Sequence, residues 1–489
     1  MTQPKPSILH AKRIGPTLTP DRSRVLMRPF RPTTDDISRR IVAQVMALSE
    51  DEVAGLLGQV LGEFSKRHEQ VETIFQRRFD QVKIHLESDA PLSFERRMLI
   101  GAYFTHEYSM ESAALFNPSI VPHPDQAGVP AGALRFVLSL RATGEGHISS
   151  ITFRTGTIGA DHRITLTPPV PFVMEPERVP NAAYVKGLFA HKLQEAGVQN
   201  DFCRRVLEKL HEDFTLKELR AVLLASGLTT DTSDATAARA ARGILLLAES
   251  NYEVDFASGT RLSQRVLFPS APSQSNGIED ARFVRFQNDA GGFTYYATYT
   301  AYDGKITLPQ LLETPDFLHF RFHTLNGPAV QNKGMALFPR KINGRYAMIS
   351  RQDDENILIM FSDNLHFWSE PKRLLSPAQP WEFIKLGNCG SPIETEAGWL
   401  VLSHGVGALR KYCIGAFLLD LNDPTRVIGR LREPLLSPNE GEREGYVPNV
   451  VYTCGALVHG GQLVIPYAMS DSATSFATVP LDELLAAME

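Results

Sequence analysis

An aspartate and an arginine behind a glycine turn are the sharpest chemical signal in this sequence. The segment Asn276-Gly-Ile-Glu-Asp-Ala-Arg282 opens a strand-like run, and its spacing predicts that Asp280 and Arg282 share one strand face. An arginine beside a carboxylate lowers the carboxylate pKa, whereas a general acid needs the opposite. Asp280 is therefore either the partner of Arg282 in a structural ion pair, or an acid whose proton affinity is raised by a bound anion or substrate.

Basic side chains form a second group, drawn from three consecutive stretches of similar pattern. Its members are Lys333, Arg351, Lys385 and His404. Arg351 and His404 end apolar runs, where a charge costs stability unless a partner or a ligand matches it. Cationic donors that converge from separate strands can hold a tetrahedral oxyanion. This group predicts an anion site; the alternative is four unrelated surface charges.

Short polar residues form a third group, namely Asn117, Arg141 and Asp471. Such groups can hydrogen-bond sugar hydroxyls, although Asn-Pro and Ser-Asp pairs also favour ordinary turns. The sequence has no Walker loop, GxGxxG, GxSxG or HExxH in a supporting context. The common nucleotide, hydrolase-triad and zinc-protease classes are therefore excluded.

A repeated pattern of an apolar strand, a glycine-containing turn and a second strand must position these residues. The second strands are Phe136–Arg141, Tyr295–Thr300, Tyr346–Arg351, Leu400–His404 and Leu463–Tyr467. After a long gap behind the first copy, the spacing is about 50 to 60 residues, which suits a four-stranded propeller blade. Five such units around one axis would bring the polar residues into a single funnel.

Helical patterns interrupt this repeat in two places. We predict an N-terminal extension over 1–110, largely helical, a first blade over 111–180, a helical insertion over 181–250, and four further blades over 251–489 that end in a short helix. Ser49 and Glu52 are typical of a helix cap, and the stretch Glu63–Leu86 predicts one long helix.

Composition sets broad limits on function. Of the 489 residues, 43% are hydrophobic and 21% are charged, which is typical of a soluble globular protein. The formal net charge of −5 gives no support for a nucleic-acid or anionic-membrane partner. No apolar run long enough to span a membrane and no secretory signal is visible, so a cytoplasmic location is expected. The four cysteines are scattered and form no CxxC, which predicts neither a metal site nor a disulfide framework. Three of them lie in or beside apolar strand stretches and are predicted to be buried thiols.

Five motifs, in order, resemble glycoside hydrolase family 130, the β-mannoside phosphorylases. They are Phe116-Asn-Pro-Ser-Ile, Gly277-Ile-Glu-Asp-Ala-Arg, Asn332-Lys-Gly-Met-Ala-Leu-Phe-Pro, Gly398-Trp-Leu with Ser403-His-Gly, and Val447-Pro-Asn-Val-Val-Tyr. The resemblance implies a mainly β chain, folded as a five-bladed β-propeller with added N-terminal helices and a helical insertion. It also implies inverting phosphorolysis of a β-mannoside to α-mannose 1-phosphate, with inorganic phosphate as co-substrate and no cofactor.

The resemblance also implies roles for single residues. Asp280 would be the proton donor, acting through a hydroxyl of the bound mannose. Phosphate would be bound by Lys333, Arg351, Lys385 and His404. The mannoside would be bound by Asn117, Arg141, Arg282 and Asp471, and no residue would bind a metal.

Two other functions remain open from the residues. An inverting β-mannosidase on the same fold would use water and a carboxylate base, for which Asp353, Asp354 and Glu355 are candidates. A non-catalytic glycan-binding propeller would bind without turnover. The helical additions would either cover the rim of the funnel or build a homo-oligomer.

Overall fold

The computed structural model describes residues 9–87, 90–180, 182–195, 197–226 and 235–488. The described part of the chain is mainly β, with helices gathered in two regions and one short helix at its C-terminal end. The N-terminal region contains β1 (Lys12–Leu18), β2 (Val25–Pro29), α1 (Asp35–Met46), α2 (Glu50–Phe64), α3 (Val71–Val82), α4 (Phe94–Tyr103) and β3 (Thr105–Ser109).

Side-chain caps mark where α1, α2 and α4 begin. The predicted cap at Ser49 is confirmed, because Ser49 and Glu52 form a reciprocal capping box at the start of α2. The single long helix predicted over 63–86 is wrong. α2 ends at Phe64, and α3 starts after Gln70, whose φ is 57°. Between them His68 is buried and bonds Glu107 at 2.7 Å, a tertiary contact that no local pattern reveals.

The middle of the chain holds the first strand meander and then the insertion. The meander consists of β4 (Ala114–Pro122), β5 (Leu134–Thr143), β6 (Ser149–Ile158) and β7 (Ile164–Leu166). The following elements are β8 (Glu177–Arg178), β9 (Ala183–Val185), α5 (Lys186–Glu195), α6 (Asp201–Glu208), β10 (Asp213–Thr215), α7 (Leu216–Ala225), α8 (Ala235–Ser250), β11 (Tyr252–Asp255) and β12 (Val266–Leu267).

Four further meanders complete the chain. The next two are β13 (Gly277–Gln287), β14 (Phe293–Tyr302), β15 (Thr307–Thr314), β16 (His319–Thr324), then β17 (Ala336–Leu337), β18 (Tyr346–Ser350), β19 (Ile357–Ser362) and β20 (Lys372–Leu375). The last two are β21 (Lys385–Asn388), β22 (Ile393–Thr395), β23 (Gly398–Val406), β24 (Tyr412–Leu419), β25 (Val427–Arg430), then β26 (Val451–Tyr452), β27 (Leu457–His459), β28 (Gln462–Met469), β29 (Ala473–Pro480) and α9 (Leu481–Ala486).

We call these five antiparallel meanders units 1 to 5, starting at β4, β13, β17, β21 and β26. The five predicted second strands are confirmed as β5, β14, β18, β23 and β28. β1 was grouped with the N-terminal extension, but it pairs antiparallel with β29 and forms the edge of unit 5. β1 and β29 are far apart in the sequence, so no local pattern indicates that they pair.

Five hydrophobic cores lie between successive units. Each core contains residues from two neighbours: Val137 with Phe283, Phe286 with Met348, Ile349 with Val401, Leu402 with Ile465, and Val464 with Phe136. The last of these cores joins unit 5 to unit 1. A four-stranded unit cannot bury both faces alone, so this sharing is what stabilises each sheet.

The helical regions have cores of their own. α5–α8 pack around Phe189, Phe202, Phe214 and Ile244, and α1–α4 around Val45, Phe79 and Leu99. All four cysteines are free and buried, which confirms the burial predicted for three of them. Among the described residues, no helix combines the length and apolar character needed to cross a bilayer.

Candidate active site

Within each unit, strand register places the candidate residues at the same end of the paired first and second strands. The start of the first strand lies opposite the end of the second in each unit, as in Phe116↔Arg141, Gly277↔Tyr302, Ala336↔Ile349, Gly387↔His404 and Val451↔Met469. Asp280 and Asn117 follow the strand starts, and Asp471 lies in the turn between β28 and β29. Contacts between units, such as Asn117 with Asp280 and Arg282 with Tyr452, bring polar groups that are distant in sequence together at this end of the strands.

Asp280 lies at an irregularity in β13 and is almost fully buried. Its φ is 53°, within a register shift between Glu279 and Arg282. Asp and Asn tolerate this left-handed conformation better than most residues. Its Oδ1 accepts hydrogen bonds from Asn117 Nδ2 at 2.7 Å and Arg141 Nη1 at 3.3 Å. The carboxylate is thus fixed between units 1 and 2.

Two arginines surround this carboxylate and are themselves fixed by other groups. Arg141 also donates to Glu279 at 2.8 Å and to Ser149 at 2.8 Å. Arg282 Nη2 lies 3.8 Å from Asp280 Oδ2. Arg282 also donates to the carbonyl oxygens of Cys389 and Asp280 and to Tyr452 Oη, at 2.8, 2.8 and 2.9 Å.

These cations control the charge of Asp280. Burial alone would raise the pKa of Asp280, but Arg141, Arg282, Lys333 and the hydrogen bond from Asn117 outweigh it and hold the pKa well below its usual range. Asp280 is therefore ionised before any ligand binds. A bound anion would offset the same cations and raise its proton affinity.

Asp471 has the opposite electrostatic balance. Burial and the neighbouring charge of Asp280 raise the pKa of Asp471 to about 6, against the lowering effect of Arg141, Arg410 and Lys333. Close by, Asn117 Oδ1 is buried and has no hydrogen-bond partner within the described ranges. Both oxygens are suited to accept hydrogen bonds from sugar hydroxyls.

The raised pKa of Asp471 predicts an acidic limb in the pH–rate profile. As the pH falls through about 6, Asp471 gains a proton and loses its capacity as a charged acceptor, so kcat/KM for the β-mannoside that the family resemblance implies should fall. Asp471→Asn should lower the rate and remove this limb. The measurement is kcat/KM between acidic and neutral pH for both proteins. An unchanged limb in the variant would assign the titration to another group.

Arg351 and His404 form the centre of the basic group. Arg351 Nη1 donates to His404 Nε2 at 2.9 Å, and Arg351 Nε donates to the carbonyl oxygen of Lys333 at 3.1 Å. Burial, together with Arg351, Lys385 and Arg282, holds the pKa of His404 well below its usual range. His404 is therefore neutral with Nε2 as an acceptor, so in this structure it orients Arg351 and presents no Nε2 proton to an anion.

The two lysines of the basic group differ. Lys333 has no carboxylate within 4 Å among the residues the structure describes, although its charge lowers the pKa values of both Asp280 and Asp471. Lys385 is instead paired with Asp354, with Nζ 2.6 Å from Oδ2. Lys333 therefore remains available to an anion, whereas Lys385 must exchange or share its carboxylate partner to bind one.

Gly334 makes room for the Arg351 side chain. Its φ is +92°, and a Cβ atom there would lie 2.2 Å from Arg351 Nε. Gly334→Ala should displace the guanidinium and, for the phosphate co-substrate that the family resemblance implies, raise KM about tenfold or more. Gly344→Ala is the matched control, because Gly344 has a φ of +80° with nothing within 4 Å of the added Cβ. Steady-state kinetics at varied phosphate measure both, and equal effects would show that backbone strain alone is responsible.

Sequence reasoning missed several groups that touch this centre. Glu279 binds Arg141, and Tyr452 joins Arg282 to the His404 ring, which it meets edge-on at 5.1 Å. Asn388 donates to the carbonyl oxygen of Gly334 at 2.7 Å. The sequence did offer a signal for two of these residues. Glu279 directly precedes Asp280, and Tyr452 ends the motif Val447-Pro-Asn-Val-Val-Tyr.

The comparisons with known proteins concern mainly the C-terminal half of the chain. Residues 246–489 match the family model of glycoside hydrolase family 130, described as beta-1,4-mannooligosaccharide phosphorylase. A 1,2-beta-oligomannan phosphorylase of Thermoanaerobacter sp. (strain X514) is 35% identical over 232 residues, which are 46% of this chain and 75% of that protein. A Beta-1,4-mannooligosaccharide phosphorylase of Ruminococcus albus is 36% identical over 168 residues, covering 32% of this chain and 50% of the relative.

Among solved structures, the Beta-1,2-Mannobiose phosphorylase from Listeria innocua is similar at 22% identity with a TM-score of 0.46, covering 77% of this chain and 92% of that one. The sequence match to the oligomannan phosphorylase combines identity above 30% with coverage of three quarters of that protein. On this sequence similarity, the chain belongs to glycoside hydrolase family 130.

Proposed function

We propose that this chain is an inverting phosphorylase that cleaves a β-mannoside with inorganic phosphate, giving α-mannose 1-phosphate and an acceptor sugar. The relatives it matches are named mannobiose, oligomannan and mannooligosaccharide phosphorylases. The observation that carries the proposal is the group of cations around Asp280. Lys333 acts on Asp280 and Asp471, while Arg282 acts on Asp280 and His404, so the acid and the anion site form one charged centre.

Phosphate is the anion that this centre suits. Arg351 offers a planar fork held by His404, and Lys333 offers a compact charge that no carboxylate neutralises within the described part of the chain. Lys385 would join them by leaving Asp354. Phosphate carries its own negative charge, so it needs cations for binding and no base for activation.

Asp280 is assigned as the proton donor. Bound phosphate offsets Arg141, Arg282 and Lys333, which raises the proton affinity of Asp280 and lets it hold a proton before the chemical step. A phosphate oxygen then attacks the anomeric carbon from the face opposite the leaving group. The glycosidic bond breaks, and its oxygen leaves with the proton of Asp280, relayed by a mannose hydroxyl. Inversion at this carbon gives the α-phosphate.

A hydrolase on the same fold is less well supported by two of its three candidate bases. Asp354 is held by Lys385, and Asp353 caps its own turn through the backbone N–H groups of Glu355 and Asn356. Carboxylates occupied in this way are poor candidates for activating water.

We further propose that the five units form a five-bladed propeller. The support is the set of five cores, each shared by two successive units, with unit 5 sharing one with unit 1. Such a ring would bring the edge that carries Asp280 to a central funnel.

The test is turnover with and without phosphate. Purified protein is incubated with β-1,2- and β-1,4-mannobiose, and mannose 1-phosphate and free mannose are measured separately. We expect mannose 1-phosphate only when phosphate is present, as the α-anomer by NMR. Free mannose released at the same rate without phosphate would show a hydrolase. Binding of the disaccharides without either product would show a glycan-binding protein.

A further inference from the structure

A polar cavity lies where the N-terminal helices meet the strand-rich part of the chain. It encloses about 420 Å³ between α3 and the segment 172–180, beside Asp255, and its lining includes none of the candidate site residues. α3 also precedes the residues 246–489 that match the family model. The cavity is therefore separate from the centre at Asp280.

The cavity wall contains a buried arginine with unused hydrogen-bonding capacity. Arg78 is 7% exposed, and its Nε has no hydrogen-bond partner within the described ranges. Its Nη1 donates to Gln81 Oε1 at 2.6 Å, and no described carboxylate lies within 4 Å of the guanidinium. Burial lowers the pKa of Arg78; Glu175 opposes this effect, and Arg28, Arg77 and Arg31 add to it. A buried cation of this kind is stabilised by an anionic ligand.

The other arginines around the cavity already have partners. Arg77 pairs with Glu177, and Arg28 pairs with Glu175. Arg178 lies 4.3 Å from the centre of the Tyr252 ring and donates to the carbonyl oxygen of Ser270 at 2.7 Å. Arg78 is thus the cation in this lining with the most capacity for an added ligand.

Four carboxylates also line the cavity, and two of them, Glu175 and Glu177, are already paired with arginines. The other two are Asp255 and Glu69, whose Oε2 accepts from Gln264 at 3.1 Å. Carboxylates repel an anion but bind hydroxyl groups well. The cavity thus combines carboxylates with one guanidinium, that of Arg78, which has unused donors. It is also larger than a single oxyanion requires. These properties suit a ligand with an anionic end and a body that carries hydroxyl groups.

We propose that this cavity binds a sugar phosphate, with the phosphate at Arg78 and sugar hydroxyls at Glu69 and Asp255. The site would give the enzyme a second place to recognise phosphorylated sugar, outside the catalytic centre. The proposal does not rest on the assigned reaction, because the cavity shares no residue with that centre.

The test measures binding at α3 itself. The full-length protein is mixed with α-mannose 1-phosphate, glucose 6-phosphate or inorganic phosphate, and hydrogen exchange of the α3 amides is followed. We expect a sugar phosphate to slow exchange in α3, and Arg78→Gln to weaken this protection about tenfold or more in apparent affinity. Arg39→Gln, an exposed ion-paired arginine of α1, is the control and should bind as the unmodified protein does.

A second variant covers the case in which Arg78→Gln fails to fold. Thr73 is an exposed residue of α3 that lines the cavity, and Thr73→Trp should fill the cavity and abolish protection. The proposal is overturned if none of the three probes protects α3, or if protection survives in either folded variant. Inorganic phosphate that binds as tightly as both sugar phosphates would overturn the role of Glu69 and Asp255.

Discussion

Asp280→Asn should lower kcat by about 10²–10⁴-fold, the range typical of losing a general acid. The amide has nearly the same shape and keeps an oxygen acceptor for Asn117 and Arg141, but it has no proton to give. Turnover is measured in both directions, as mannose 1-phosphate formed and as phosphate released from mannose 1-phosphate with an acceptor. Both should fall together, because the same group donates and recovers the proton.

Stability should change far less than rate in this variant. The lowered pKa means that the Asp280 carboxylate stabilises the folded state at neutral pH, an effect lost as the pH falls through that pKa. Arg141 keeps Glu279, and Arg282 keeps Tyr452 and two carbonyl oxygens, so the variant should still fold with a lower melting temperature. Asp353→Asn is the matched control and should retain activity within about twofold. Activity lost equally in both variants would show that the loss is not specific to Asp280, and would contradict its assignment as the proton donor.

Arg351→Gln should reduce kcat/KM for phosphate by about 10²–10³-fold, comparable to the loss of one well-placed donor to a developing oxyanion. The guanidinium is held by His404 and by the Lys333 carbonyl oxygen, so little else is expected to move. Binding of the mannoside without phosphate, measured by calorimetry, should be nearly unchanged.

Arg345→Gln is the matched control for this change. Arg345 immediately precedes β18 at the end opposite Arg351, is half-exposed, and pairs with Asp363 at 3.4 Å. Its loss should leave phosphate kinetics unaltered. If Arg351→Gln lowers the affinity for the mannoside as much as it lowers kcat/KM for phosphate, the assignment of Arg351 to the phosphate site is wrong.

Much of the fold was predictable because its signals are local. The five second strands are apolar runs bounded by turn residues, and the Ser49 cap depends on residues three apart. The approach of Asp280 and Arg282 also followed from their spacing, although the register shift and the left-handed φ at Asp280 did not.

The details of the site depend on contacts between units, which leave no local pattern. Lys385 of unit 4 pairs with Asp354 of unit 3, and Arg351 of unit 3 determines which nitrogen of His404 accepts. Residues of like type could therefore be grouped from sequence, but their partners could not. The same holds for His68, whose contact with Glu107 separates α2 from α3.

The pairing of β1 with β29 has a consequence for synthesis. Lys12–Leu18 leaves the ribosome long before Ala473–Pro480 exists, so this strand must stay without its partner while units 1 to 4 are made. Exposed strands of this kind are prone to pair with other chains. Its sequence is a poor template for such pairing, since it contains Lys12, Arg13 and Pro16 and alternates weakly in polarity. Nascent chains stalled before β29 should therefore aggregate little through this strand, although it lacks its partner.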